Sequence, residues 1–154
     1  MDLLHLLHDT LCGALAAAGF GVLFNIRFRA LPWCAASGAL ALAVRTVVLG
    51  DGWSMEAASL LAALLVGFAL QMLPSQMTVS RDVLHLVGCI PMVPPGFATK
   101  AILGLFAITA RNYTATNETL ITAIDNALRV MFTIGALGTG LAIPSLLLRL
   151  RSTK

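Results

Sequence analysis

Long apolar stretches separated by short polar connections run through this chain from end to end. A helix that crosses a bilayer needs about 20 apolar residues. The pattern predicts five membrane-spanning helices, at about residues 6–24, 31–49, 55–73, 83–110 and 118–148. The fifth is longer than a bilayer needs, so we expect it to tilt, bend or protrude. We therefore predict an all-α integral membrane protein with a single transmembrane domain over residues 1–154.

The fourth predicted span contains its own interruption. Three prolines lie near its middle, and proline lacks an N–H and disfavours a helical conformation in the residue before it. The helix should therefore stop near Ile90 and restart near Phe97. Broken backbone at membrane depth lies in protein or beside a wet cavity, and in transporters it often forms substrate sites. The break is therefore either a substrate site or a structural kink. The residues of a substrate site here would be Pro91, Pro94, Pro95, Gly96, Thr99 and Lys100.

Charged residues inside the predicted spans need partners. Lys100 lies just after the break and roughly 16 Å along a helix from Arg111, which places it near the middle of the bilayer. It is either the counter-charge for an anionic substrate or the structural partner of Asp125 or of an acid on another subunit. Asp125 and Arg129 are one turn apart and can pair within their own helix. Arg45 lies one turn from the end of its span, where we expect its side chain to snorkel towards the interface.

The composition supports a membrane protein and excludes several other classes. Hydrophobic residues make up 58% of the chain and charged residues 11%, whereas a soluble domain has about 25% charged residues. The basic residues are scattered, so we expect the lipid bilayer and not nucleic acid as a partner. We find no nucleophile motif, phosphate-binding loop or metal-ligand spacing. The sequence therefore predicts neither an enzyme nor a cofactor or metal site, and any transport would be driven by an ion or proton gradient.

The distribution of Lys and Arg predicts the orientation of the chain in the membrane. Basic residues concentrate on the cytoplasmic side of bacterial membrane proteins. With five spans, one face of the membrane would carry Arg27, Arg29, Arg81, Arg149, Arg151 and Lys154. We therefore expect the N-terminus outside and the C-terminus in the cytoplasm.

Small residues recur every four positions in three of the predicted spans. This spacing lets helix backbones approach closely in a membrane. It favours an assembly of several helices, with a homo-oligomer among the arrangements left open. The three sets are Gly13, Ala17 and Gly21; Ala35, Ala39 and Ala43; and Ser59, Ala63 and Gly67.

Two motifs carry a resemblance to a known family. The first is Gly19-Phe-Gly-Val-Leu-Phe-Asn-Ile-Arg-Phe-Arg-Ala-Leu-Pro-Trp-Cys34, followed by Gly38 and Arg45, and the second is Ile90-Pro-Met-Val-Pro-Pro-Gly96. Both resemble the small subunit of the threonine/serine exporter family. The resemblance implies a secondary exporter in the bacterial inner membrane that works with a larger subunit of the same family. It implies succinate-type dicarboxylates or threonine and serine as substrates.

Taken together, these patterns predict a membrane subunit that helps to export a small anionic or zwitterionic metabolite. A second interpretation comes from another class of protein. In that interpretation the chain transports nothing itself and only assembles or stabilises a partner in the membrane.

Overall fold

The computed structural model describes residues 3–72, 79–109 and 117–152. These residues form six α-helices and two short 3-10 segments, without a strand among them, so the all-α prediction is confirmed. The helices are α1 (Leu3–Leu23), α2 (Leu31–Gly50), α3 (Met55–Gln71), α4 (Arg81–Cys89), α5 (Pro95–Thr109) and α6 (Asn117–Ser152), and the 3-10 segments are Phe28–Ala30 and Ile90–Met92. Outside the described residues lie the two predicted span ends, residues 73 and 110, together with Arg111 and the side chains of the basic tail.

Three stretches within the described helices are long and apolar enough to cross a membrane, namely Leu3–Leu23, Phe28–Gly50 and Glu118–Leu147. The interrupted pair α4 and α5 makes a fourth if it counts as one span. Helix α3 is apolar but has only 17 residues, or about 25 Å against a hydrocarbon core of about 30 Å. A membrane-embedded helical protein is thus confirmed, while a separate crossing by α3 stays a prediction.

The chain divides into two compact units, Met1–Met92 with Ala136–Lys154, and Val93–Gly135. In the first unit α1 packs closely on α2. The contact requires a glycine at position 13, because a Cβ there would lie 2.7 Å from the Gly38 carbonyl oxygen. The predicted small-residue sets of α1 and α3 are buried. The set predicted for α2, Ala35, Ala39 and Ala43, is only half-buried. The buried face of α2 consists of Cys34, Ser37, Gly38 and Ala41.

A histidine lies in the core of the same unit. His85 is 4% exposed, and its Nε2 lies 2.7 Å from the Ala63 carbonyl oxygen. A carbonyl oxygen only accepts hydrogen bonds, so Nε2 carries the hydrogen and donates it. Gly67 makes room for the ring, because a Cβ there would lie 2.5 Å from His85 Cε1 and 2.6 Å from Pro144 Cγ. His85 therefore joins α4 to α3 in a buried, tightly packed position.

Candidate functional site

The predicted break is present, and the prolines account for it. Helix α4 ends at Cys89, a 3-10 segment covers Ile90–Met92, and α5 begins at Pro95, two residues earlier than expected. In a continuous helix Pro94 and Pro95 would donate to the carbonyls of Ile90 and Pro91, but proline has no N–H. Pro95 itself fits the first position of α5, where a backbone N–H has no partner within the helix.

The residues predicted to form the site do not share one environment. Pro91 is half-buried and belongs to the first unit, whereas Pro94 to Lys100 belong to the second. Thr99 lies in the second turn of α5, and its hydroxyl donates to the Pro95 carbonyl oxygen at 2.9 Å. A Cβ built on Gly96 would meet no atom within 4 Å. Lys100 lines a pocket together with other polar groups.

Lys100 lines a groove between α5 and the first turns of α6, within the second unit. The two helices approach closely because Gly104 has no side chain: a Cβ there would lie 2.6 Å from the Ala123 Cβ. The groove has a volume of about 450 Å³, which is enough for a metabolite of a few carbon atoms. Its lining consists of Lys100, Leu103 and Gly104 from α5, and Glu118, Thr119, Thr122, Ala123 and Asn126 from α6.

The polar groups of this groove carry both signs of charge. Lys100 brings an ammonium group, and Glu118 brings a carboxylate from the other helix. Asn126 is only 6% exposed, and its Nδ2 donates to the Thr122 carbonyl oxygen at 2.7 Å. That bond fixes the amide, whose oxygen accepts hydrogen bonds. The lining of the groove therefore combines an ammonium group, a carboxylate and an amide.

A comparison with known families decides the class of this chain. The family described as Threonine/Serine exporter, ThrE, matches residues 9–147. The chain belongs to the threonine/serine exporter family. This membership makes it a membrane transporter of the exporter type, and the matched residues contain both the groove and the break. No solved structure matches the chain.

Asp125 of this exporter has a partner other than Lys100. Arg129 Nε donates to Asp125 Oδ2 at 2.9 Å, as the one-turn spacing led us to expect. Both side chains are about half exposed, and neither lines the groove. The structural alternative for Lys100, a pair with Asp125, is therefore not the arrangement found. Glu118 is the acid that shares a pocket with Lys100.

Arg45 of the exporter takes part in the break, which differs from the expected snorkelling. Its Nη1 donates to the Met92 carbonyl oxygen at 2.7 Å, across 47 positions of sequence. Met92 is fully buried and ends the 3-10 segment. The guanidinium thus supplies a donor to a carbonyl at the point where the helix stops. We call this bond the Arg45 latch.

The guanidinium of Arg45 uses only part of its hydrogen-bonding capacity. Nε of Arg45 is buried and has no hydrogen-bond partner, the one such side-chain atom in the described part of the chain. A hydrogen bond from a charged group contributes about 1.5–3 kcal/mol, and a buried unsatisfied donor costs about 1–3 kcal/mol. The unpaired Nε therefore offsets part of the stabilisation that the bond to the Met92 carbonyl provides.

Proposed function

We propose that this chain is the small membrane subunit of a two-component secondary exporter, and that its groove binds a zwitterionic amino acid of the threonine or serine type. The observation that carries the proposal is the placement of Lys100 and Glu118 in one groove. The ammonium of Lys100 suits the α-carboxylate of such a substrate, and the carboxylate of Glu118 suits its α-ammonium. The hydroxyls and the amide beside them suit a side-chain hydroxyl.

The same groove is a poor match for a dicarboxylate such as succinate. One carboxylate would pair with Lys100, but the second would face the like charge of Glu118 or remain without a cation. An uncompensated charge taken out of water is costly. This comparison favours threonine or serine over succinate as the substrate.

The proposed partner is the larger membrane subunit of the same family, as the sequence resemblance implies. The described helices leave many large apolar side chains exposed, which suits a chain surrounded by lipid and by other helices. On α5 and the first half of α6 these include Ile102, Leu103, Phe106, Ile121, Met131 and Phe132. We place the assembly in the bacterial inner membrane, with the N-terminus outside and the C-terminus in the cytoplasm, because of the basic residues on one face.

Efflux from loaded cells tests the proposal. Bacteria that make this chain together with the larger subunit are loaded with radiolabelled threonine or succinate, and the rate of loss is compared with cells that lack this chain. We expect threonine efflux to require both subunits and to exceed succinate efflux. If Lys100→Gln and Glu118→Gln leave the efflux per assembled complex unchanged, the groove is not the substrate site.

A further inference from the structure

Arg45 is a cation in a predicted membrane-spanning helix, and it has no acidic partner among the described residues. Asp9 Oδ2 lies 3.3 Å from His5 Nδ1 and Asp9 Oδ1 lies 3.6 Å from His8 Nδ1, and Asp125 pairs with Arg129. Asp9 also accepts a hydrogen bond from Thr46, the residue next to Arg45. Within the part of the chain that the structure describes, the hydrogen-bond partner of the Arg45 guanidinium is the Met92 carbonyl. Charged groups inside a membrane protein pair with one another or mark the route of a charged ligand, so the missing anion is informative.

The unused donors of Arg45 have the shape that a carboxylate needs. Its Nη1 is engaged by Met92, which leaves Nε and the adjacent N–H of Nη2 along the outer edge of the guanidinium. Two parallel N–H groups on this edge match the two oxygens of a carboxylate. Nε is enclosed by protein in the latched arrangement. A ligand can therefore reach this edge only if the guanidinium moves off Met92 or the side chains that cover it shift.

We propose that Arg45 is a second carboxylate-binding site of the exporter, distinct from the groove, and that a small carboxylate binds there in exchange for the Arg45 latch. Binding of the carboxylate and release of the Met92 carbonyl by Arg45 then occur together. A ligand at Arg45 thereby changes the end of the 3-10 segment, where the broken helix stops. The choice of a carboxylate rests on the proposed export of carboxylate-bearing metabolites, whereas the site rests on the unpaired guanidinium.

Detection of the arginine Nε–H signal by NMR tests this site directly. The full chain, labelled with ¹⁵N and embedded in lipid nanodiscs, is titrated with acetate, which carries a carboxylate but no ammonium group. The Arg45 signal is assigned by its absence in Arg45→Lys and, independently, in Arg45→Gln. We expect acetate to shift this signal in a saturable manner, while sodium chloride at the same ionic strength does not.

Three results would overturn the proposal. No shift at any acetate concentration means that Arg45 binds no carboxylate. An equal shift with chloride means that the site responds to any anion. A shift that disappears in Lys100→Gln means that the effect is transmitted from the groove. Because acetate cannot satisfy both Lys100 and Glu118, failure at Arg45 leaves the proposed amino-acid site in the groove standing.

Discussion

Lys100 and Glu118 line one groove from two different helices, α5 and α6. Neither residue alone would indicate a substrate site, because a lone lysine or glutamate near a membrane span commonly lies at the membrane interface. Together they give the groove one positive and one negative group, the same pattern that a zwitterionic amino acid carries. The selectivity of the exporter should therefore depend on both charges.

Neutralising the acidic side of the groove should change which substrate is exported. In Glu118→Gln the substrate ammonium loses its counter-charge, and a second carboxylate no longer meets a like charge. We expect threonine efflux to fall about 10- to 150-fold, since a charge-assisted contact contributes about 1.5–3 kcal/mol, and succinate efflux to rise relative to it. The ratio of the two effluxes is the measurement. Asp125→Asn, outside the groove on the same helix, is the matched control and should keep the ratio of the unaltered chain.

The close approach of α5 and α6 should be sensitive to a single added methyl group. In Gly104→Ala the new Cβ would lie 2.6 Å from Ala123 Cβ, so the helices must separate, and overpacking of this kind costs about 1–3 kcal/mol. Gly96→Ala places the same methyl group on the same helix where no atom lies within 4 Å. We expect Gly104→Ala to lower the melting temperature of the detergent-solubilised chain, with little effect of Gly96→Ala. Equal melting temperatures would show that the two helices do not touch at Gly104.

The helices, the break and the groove differ in how far the sequence could predict them. The helices and the break follow from local patterns, namely the lengths of the apolar stretches and the missing N–H groups of Pro94 and Pro95. Lys100 was singled out from its depth in the predicted span, with a substrate role and a structural role both left open. Its groove partners were not, because Glu118 and Asn126 reach it only through the packing of Gly104 on Ala123. The spacing of Thr119, Thr122 and Asn126 along one helical face was the signal available in the sequence.

The Arg45 latch also depends on tertiary packing, so it could not be predicted from the sequence. Arg45 and Met92 are 47 positions apart, and an arginine one turn from a helix end is equally compatible with snorkelling. Only the meeting of α2 with the 3-10 segment brings the guanidinium to the carbonyl.

Loss of the Arg45 latch should loosen the 3-10 segment. A cysteine placed at Ile90, which is half-buried in the same segment, reports this through its reactivity with a water-soluble thiol reagent. Native Cys12, Cys34 and Cys89 are replaced beforehand. We expect faster labelling in Arg45→Met and near-normal labelling in Arg45→Lys, which keeps a charged donor. A cysteine at Trp53, an exposed position in the connection between α2 and α3, should label equally in all backgrounds. Unchanged labelling of the Ile90 cysteine in Arg45→Met would mean that the latch does not hold the segment.

The orientation of the chain can be checked with reporter fusions. Fusions after Arg29 and Lys154 should report the cytoplasm, and a fusion after Asp51 should report the outside, because basic residues are retained on the cytoplasmic side. An outside report after Lys154 together with a cytoplasmic one after Arg29 would leave an odd number of crossings between them, where the five-span arrangement has four. That result would contradict the five-span arrangement and the crossing by the short helix α3.

The most direct test of the central claim is threonine efflux in Lys100 variants, divided by the amount of assembled complex in the membrane. If Lys100 holds the substrate carboxylate, Lys100→Gln and Lys100→Ala should reduce this ratio about 10- to 150-fold, since the lost contact contributes about 1.5–3 kcal/mol. Lys100→Arg should keep part of the activity because it preserves the charge but not the shape. A normal ratio in Lys100→Ala would contradict the assignment of the groove as the substrate site.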